Sequence, residues 1–266
     1  MTESLTLETP FLRLVVAPGF GARVTELTDR RTGRNWLPPG EMLLKGPRYI
    51  DHGAGWDECF PTIAVDPDGG APRDHGTLWG LPVDCRAEDD TILSSHAHGG
   101  WLFQRRLAVR DATVTADYRL TRTVADATPD PWLWSQHCLL AIRAGDRLVL
   151  DGLAPPEPPL DLRVADGMLP GREARFAQKT YARAQGMVSA GLDGKAEGIR
   201  FCWDGAEIPY AGLYICCGGH AADKDRHQVA VEPATAPAEC PSKAERLPVA
   251  PGESRSWQVR IVLSAG

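Results

Sequence analysis

No stretch of this chain approaches the ~18 consecutive apolar residues of a membrane-spanning helix, so an integral membrane protein built from helices is not expected. There is no basic stripe either. Acidic residues number 35 against 29 basic ones, and the formal net charge of −6 leaves nothing to track a phosphate backbone or an anionic bilayer. Nucleic acid and membrane surfaces are therefore not expected as partners. The opening MTESLTLETP lacks both a basic n-region and an apolar h-region, so no signal peptide is expected. The seven cysteines are odd in number and show no C-x-x-C spacing, and the adjacent Cys216 and Cys217 cannot both serve one ordinary structural zinc. Reduced thiols in a cytoplasmic protein are the simplest expectation. Internal repeats of ~20–50 residues and low-complexity tracts are also missing, which sets aside solenoids and propellers.

What the chain does have is turns and alternation. Its 27 glycines and 22 prolines among 266 residues exceed the typical ~12% for the two types together. With 43% hydrophobic residues the excess signals many tight connections rather than disorder. Val114, Ala116, Tyr118 and Leu120 alternate with Thr115, Asp117 and Arg119, and Trp257, Val259, Ile261 and Leu263 alternate with polar residues near the C-terminus. Both read as half-buried strands. Residues 11–17, 24–27, 139–142, 148–150 and 213–217 read similarly, and 107–109 followed by 114–120 predicts a hairpin turning at Asp111-Ala112. The Ala-, Arg- and Gln-rich segment 172–185 is the best helix candidate, and the proline-rich 154–160 reads as a crossing loop. The expectation is an all-β chain, one antiparallel β-sandwich domain over 1–266, as a monomer or homodimer.

Three segments carry residues suited to chemistry. The first holds Trp56-Asp57-Glu58-Cys59-Phe60-Pro61 and then Asp74-His75-Gly76, the second holds His137, and the third holds Glu232-Pro233. Each has a bland reading: Glu232 as a surface carboxylate, His137 as a core histidine, His75 as a turn residue, Asp57 and Glu58 as a solvated loop. His96 and His98 share a strand face and, with His52 and His75, suggest a metal-dependent β-fold enzyme as a competitor, although no zinc-like spacing links them.

The ordered set resembles the galactose mutarotase-like superfamily, the aldose 1-epimerases and their relatives. Gly21-Ala22-Arg23-Val24-Thr25-Glu26-Leu27 looks like that family's first hairpin. Cys59-Phe60-Pro61 with His75-Gly76 is similar to the hexose-6-phosphate mutarotase branch, and His137 and Glu232-Pro233 follow in the family's order. The resemblance implies a galactose mutarotase-like supersandwich that interconverts the α and β anomers of a hexose or modified sugar. It implies Glu232 as general base, His137 as general acid and His75 as a hydrogen-bonding partner of the sugar oxygens. The reaction moves two protons without redox change, so no cofactor is expected. Gly76-Thr77 replaces the epimerases' paired glycines and Cys138-Leu139 their aromatic–Asn stretch, which points away from galactose itself. Asp57, Glu58 and Arg48 are the expected substrate-binding residues, and the local excess of carboxylates predicts a neutral sugar. A non-catalytic carbohydrate-binding protein of the same fold is the alternative.

Overall fold

A computed structural model describes residues 3–38, 40, 42–45, 48–51, 54–66, 68, 71, 73–124, 131–164, 166–220, 225–245 and 247–265, with side chains left undescribed in 40–53 except for residue 40. Eighteen strands occur among them. The first eleven are β1 (Leu5–Glu8), β2 (Leu12–Ala17), β3 (Arg23–Asp29), β4 (Arg34–Asn35), β5 (Met42–Lys45), β6 (Arg48–Asp51), β7 (Trp56–Cys59), β8 (Asp84–Glu88), β9 (Thr91–His98), β10 (Trp101–Arg110) and β11 (Thr113–Arg122). The remainder are β12 (Ser135–Ala141), β13 (Arg147–Leu153), β14 (Phe176–Asp193), β15 (Glu197–Asp204), β16 (Tyr210–Cys217), β17 (His227–Ala234) and β18 (Ser254–Ala265).

One hydrogen-bonded path runs β1-β2-β3-β7-β12-β17-β16-β14-β15-β18-β11-β10-β9-β8, while β4 pairs with β3, β13 pairs with β14, and β5–β6 stand apart. The pairings at its heart are antiparallel. The path folds over on itself as a sandwich. Trp134, entering β12, packs 5.1 Å from Trp257 of β18 and 4.7 Å from Tyr118 of β11, so aromatic rings join the two halves. Each such ring removes ~150–250 Å² from water, or ~4–6 kcal/mol at ~25 cal/mol per Å². The alternation in the sequence supplies this core. Val114, Ala116, Tyr118 and Leu120 are buried, as are Trp257, Val259, Ile261 and Leu263. The hairpin forms where expected, with Arg110 opposite Thr113 and Asp111 in the left-handed region at φ +52°.

The helix expected over 172–185 does not form. A single 3₁₀ turn spans Arg172–Ala174, and the 18-residue β14 follows at once. Helix propensity loses here to pairing, because β16 claims one edge of 176–183 and the strand runs on into the pairings of its second half. Phe176–Arg183 pairs with β16, Met187–Asp193 pairs with β15, and β13 pairs along the same stretch. β14 is thus the strand on which the sheet changes partners. The proline-rich loop lies against it, with Glu157 and Tyr181 exchanging backbone hydrogen bonds of 2.7 and 3.1 Å.

Candidate active site

The register across β3, β7, β12, β17, β16 and β14 lines up residues from most of the chain. Val24 pairs with Trp56, which sets Arg23 level with Asp57, and Asp57 pairs with His137. Ser135 pairs with Ala234 and Leu139 with Ala230, which sets His137 level with Glu232. Glu232 pairs with Gly212, and Gly212 with Tyr181. Residues opposite one another in adjacent strands share a face. Arg23, Asp57, His137, Glu232, Gly212 and Tyr181 therefore form one row, each step ~4.8 Å from the next.

Loops cover this face. Cys59, Ile63, Trp79, Leu133 and Ala236 form a second apolar cluster over it, separate from the main core. His75 arrives on the covering loop. Its N–H donates to the Ile63 carbonyl at 2.7 Å, and the N–H of Thr77 donates to that of Phe60 at 2.7 Å. His75 sits at φ +57°, an unusual conformation for a non-glycine residue, and Gly76 follows at φ +79°. A Cβ on Gly76 would lie 2.0 Å from the Phe60 carbonyl oxygen, so only glycine lets the loop approach this closely. The result seats the His75 ring 3.9 Å from Trp79 and 5.3 Å from His137, with Trp79 and His137 4.9 Å apart. Asp74 Oδ2 lies 3.2 Å from His75 Nδ1.

The charges on the face come in pairs. Arg23 Nε is 3.5 Å from Asp57 Oδ2, both side chains being 2% exposed. Lys179, two residues before Tyr181, donates from Nζ to Glu232 Oε2. Glu232 is fully buried, whereas Lys179, Tyr181, His75 and His137 are half-buried. Three polar atoms on this face, Glu232 Oε1, His137 Nδ1 and the Tyr181 hydroxyl, are shut off from solvent with no hydrogen-bond partner. A buried unsatisfied polar atom costs ~1–3 kcal/mol, and several in one row point to a bound molecule that completes them.

Burial, then the neighbouring His75, Lys179 and Arg23 charges, holds His137 well below the usual imidazole range. Its ring is neutral at neutral pH. The Cys59 and Cys138 thiols are pushed up by burial and by the Glu232 and Asp57 charges, which keeps both protonated and rules them poor nucleophiles.

The structure brings together four of the six residues expected from the sequence: His75, His137, Glu232 and Asp57. Asp57 is tied to Arg23. Glu58 is not at the site. It neighbours Asp57 on β7 and so faces the opposite way, into the core. There it is 2% exposed and accepts hydrogen bonds from Trp56 Nε1, Arg105 Nη1, Tyr118 and Trp134 Nε1. Arg48 lies on β6, where side chains are not described, and His52 lies outside the described residues. Sequence reasoning missed Lys179 and Tyr181, because their strand was read as a helix. His96 and His98 stack at 6.2 Å on β9, and His96 Nε2 lies 3.3 Å from Thr77 Oγ1. Among the described residues no group of three or more His, Cys, Asp or Glu is placed to hold a metal ion. A groove of about 630 Å³ runs along β8–β11 and β18, past Gln104, Arg106, Asp117 and Arg119, and none of the expected site residues lines it.

No family model matches the sequence, and neither does any curated protein. Solved structures do match the fold. The Slr1438 protein from Synechocystis sp. PCC 6803 superposes with a TM-score of 0.76 at 17% identity, covering 100% of this chain and 97% of that one. A galactose mutarotase related enzyme from Lactobacillus acidophilus gives 0.74 at 9% identity, covering 98% and 97%. A galactose mutarotase-like protein from Lactobacillus casei ATCC 334 gives 0.73 at 14% identity, covering 98% and 100%. Together with the antiparallel path and the two joined layers, these matches show that the chain has the galactose mutarotase-like fold that its sequence motifs resemble.

Proposed function

We propose that the protein is a sugar mutarotase, exchanging the anomers of a hexose or modified hexose across the His75–His137–Glu232 face. The observation that carries this reading is the row of buried, unpartnered polar atoms around a carboxylate and two imidazoles. Glu232 Oε1 takes the proton from the C1 hydroxyl. As the C1 carbonyl forms, the C1–O5 bond breaks and its electron pair goes to O5, which is protonated by an imidazolium. Rotation about C1–C2 and the reverse transfers close the other anomer and return both protons. The sequence motifs suggested His137 as the acid. A neutral ring hemmed in by Lys179 and Arg23 suits a hydrogen bond to the sugar better than proton donation. His75, with the Asp74 carboxylate behind its Nδ1, takes the acid role in this reading.

Exchange spectroscopy by NMR on free hexoses, sugar phosphates and sulfonated sugars tests the activity. Catalysed anomer exchange is the expected result, and binding without exchange favours the non-catalytic alternative. The pH dependence separates the histidines. The alkaline limb of kcat/KM is expected to move or vanish in His75→Asn and to stay in place in His137→Asn. The opposite pattern returns the acid role to His137.

The substrate's charge follows from the pairing. Arg23 is paired with Asp57 and Lys179 with Glu232, and Arg73 is turned back to the Trp79 carbonyl. None of these three cations is spare for a phosphate dianion. A free hexose is expected to show the higher kcat/KM, with little salt dependence. A strong preference for the 6-phosphate that weakens with added salt would contradict this and implicate Arg48.

A further inference from the structure

Lys179 and Glu232 are not on adjacent strands. β16 lies between β14 and β17, so the strands carrying them are ~10 Å apart. The lysine stem spans that gap by passing over Gly212, which stands opposite Glu232 on one side and Tyr181 on the other. A Cβ on Gly212 would lie 2.9 Å from Glu232 Oε2, 3.3 Å from Lys179 Nζ and 3.4 Å from Lys179 Cε. The missing side chain is the channel through which the pair forms.

We propose that Lys179 is the positioning residue of the base: it holds Glu232 by Oε2, fixes the carboxylate rotamer and leaves Oε1 alone to face the sugar. This rests on the reading of Glu232 as the base. A fully buried carboxylate needs a counter-charge, and Lys179 supplies it directly. The other titratable groups facing Glu232 are accounted for. Cys59 and Asp57 lie on β7 and His137 on β12, His75 arrives on the covering loop with Asp74 behind it, while Tyr181 shares β14 with Lys179 and Tyr214 sits opposite Lys179 on β16. Asp57 is engaged with Arg23 and His75 with Asp74, burial pushes Cys59 and Tyr181 up, and His137 is neutral, so Lys179 is the cation in contact with the base. Tyr181 flanks the lysine, its ring centroid 5.6 Å from Nζ.

The test is the pH profile of anomer exchange in Lys179→Arg, Lys179→Met and Gly212→Ala. Lys179→Met is expected to lower kcat at least ~10-fold and to raise the acid limb of kcat/KM, because a buried carboxylate without its cation holds a proton more tightly. Lys179→Arg is expected to restore most of both. Gly212→Ala wedges the pair while keeping both charges, and the atoms it meets are ends of flexible side chains, so the fold survives. It is expected to shift the limb in the same direction, and it decides the matter if Lys179→Met fails to fold. Wild-type kcat and acid limb in folded Gly212→Ala and Lys179→Met would overturn the proposal. Full activity in Glu232→Gln would instead remove the base assignment, whereas an inactive Glu232→Gln beside an unaffected Gly212→Ala would sink the lysine's role alone.

Discussion

Glu232→Gln is expected to slow anomer exchange by ~10²–10⁴-fold, the usual contribution of a positioned general base. The substitution keeps the shape of the side chain and its place opposite Gly212, and it removes the group able to accept a proton. Oε1 already lacks a protein partner, so no internal hydrogen bond from that atom is lost. The contact with Lys179 changes from an ion pair to a hydrogen bond, which costs some stability. Activity is therefore to be measured by NMR exchange at a temperature where circular dichroism shows the variant folded. A folded glutamine variant with wild-type exchange on a confirmed substrate would remove Glu232 from the mechanism.

The second large effect concerns stability. Arg105→Met is expected to cost ~3–5 kcal/mol, because it strips a buried carboxylate of its counter-charge. Arg105 and Glu58 are each 2% exposed and lie 2.9 Å apart, and Arg105 also donates to the Ala22 carbonyl. Burial already pushes the Glu58 carboxyl up from its ordinary range, with Arg105 the leading influence in the other direction. Urea denaturation reads the loss, and Tm should fall by on the order of 10 °C. Adding Glu58→Gln to the variant should recover part of it, since no bare charge then remains in the core. Catalytic constants of the folded protein should stay within a few-fold of wild type, because this network lies on the far face of β7. A collapse of kcat with unchanged stability would instead place Glu58 at the sugar.

Much of the architecture was legible in the sequence, and the reason is period two. Residues 114–120 and 257–263 alternate strictly, and both became strands with the expected inward residues. The ordered motifs around His75, His137 and Glu232 likewise pointed to residues that the register of β12 and β17 and the covering loop bring together. Adjacent Asp57 and Glu58 were harder. A strand sends neighbours to opposite faces, so only one of them could reach the site, and nothing local says which. Pairing with His137 on one side and the Trp134–Tyr118–Arg105 network on the other decides it. Lys179 was hidden twice over. Its Ala-, Arg- and Gln-rich surroundings favour a helix in isolation, and its partner lies two strands away across a glycine. Neither the strand nor the ion pair is written in local sequence.

A row drawn from β3, β7, β12, β17, β16 and β14 also sets what counts as a working molecule. Its members run from position 23 to position 232, so the loops that bring them together are long, and their closure is entropically slow compared with local hairpins such as β10–β11. A chain that has formed only its local pairings holds no complete site. Turnover therefore counts molecules in which all six of these strands have paired, which makes it a stricter gauge of refolding yield than secondary-structure content.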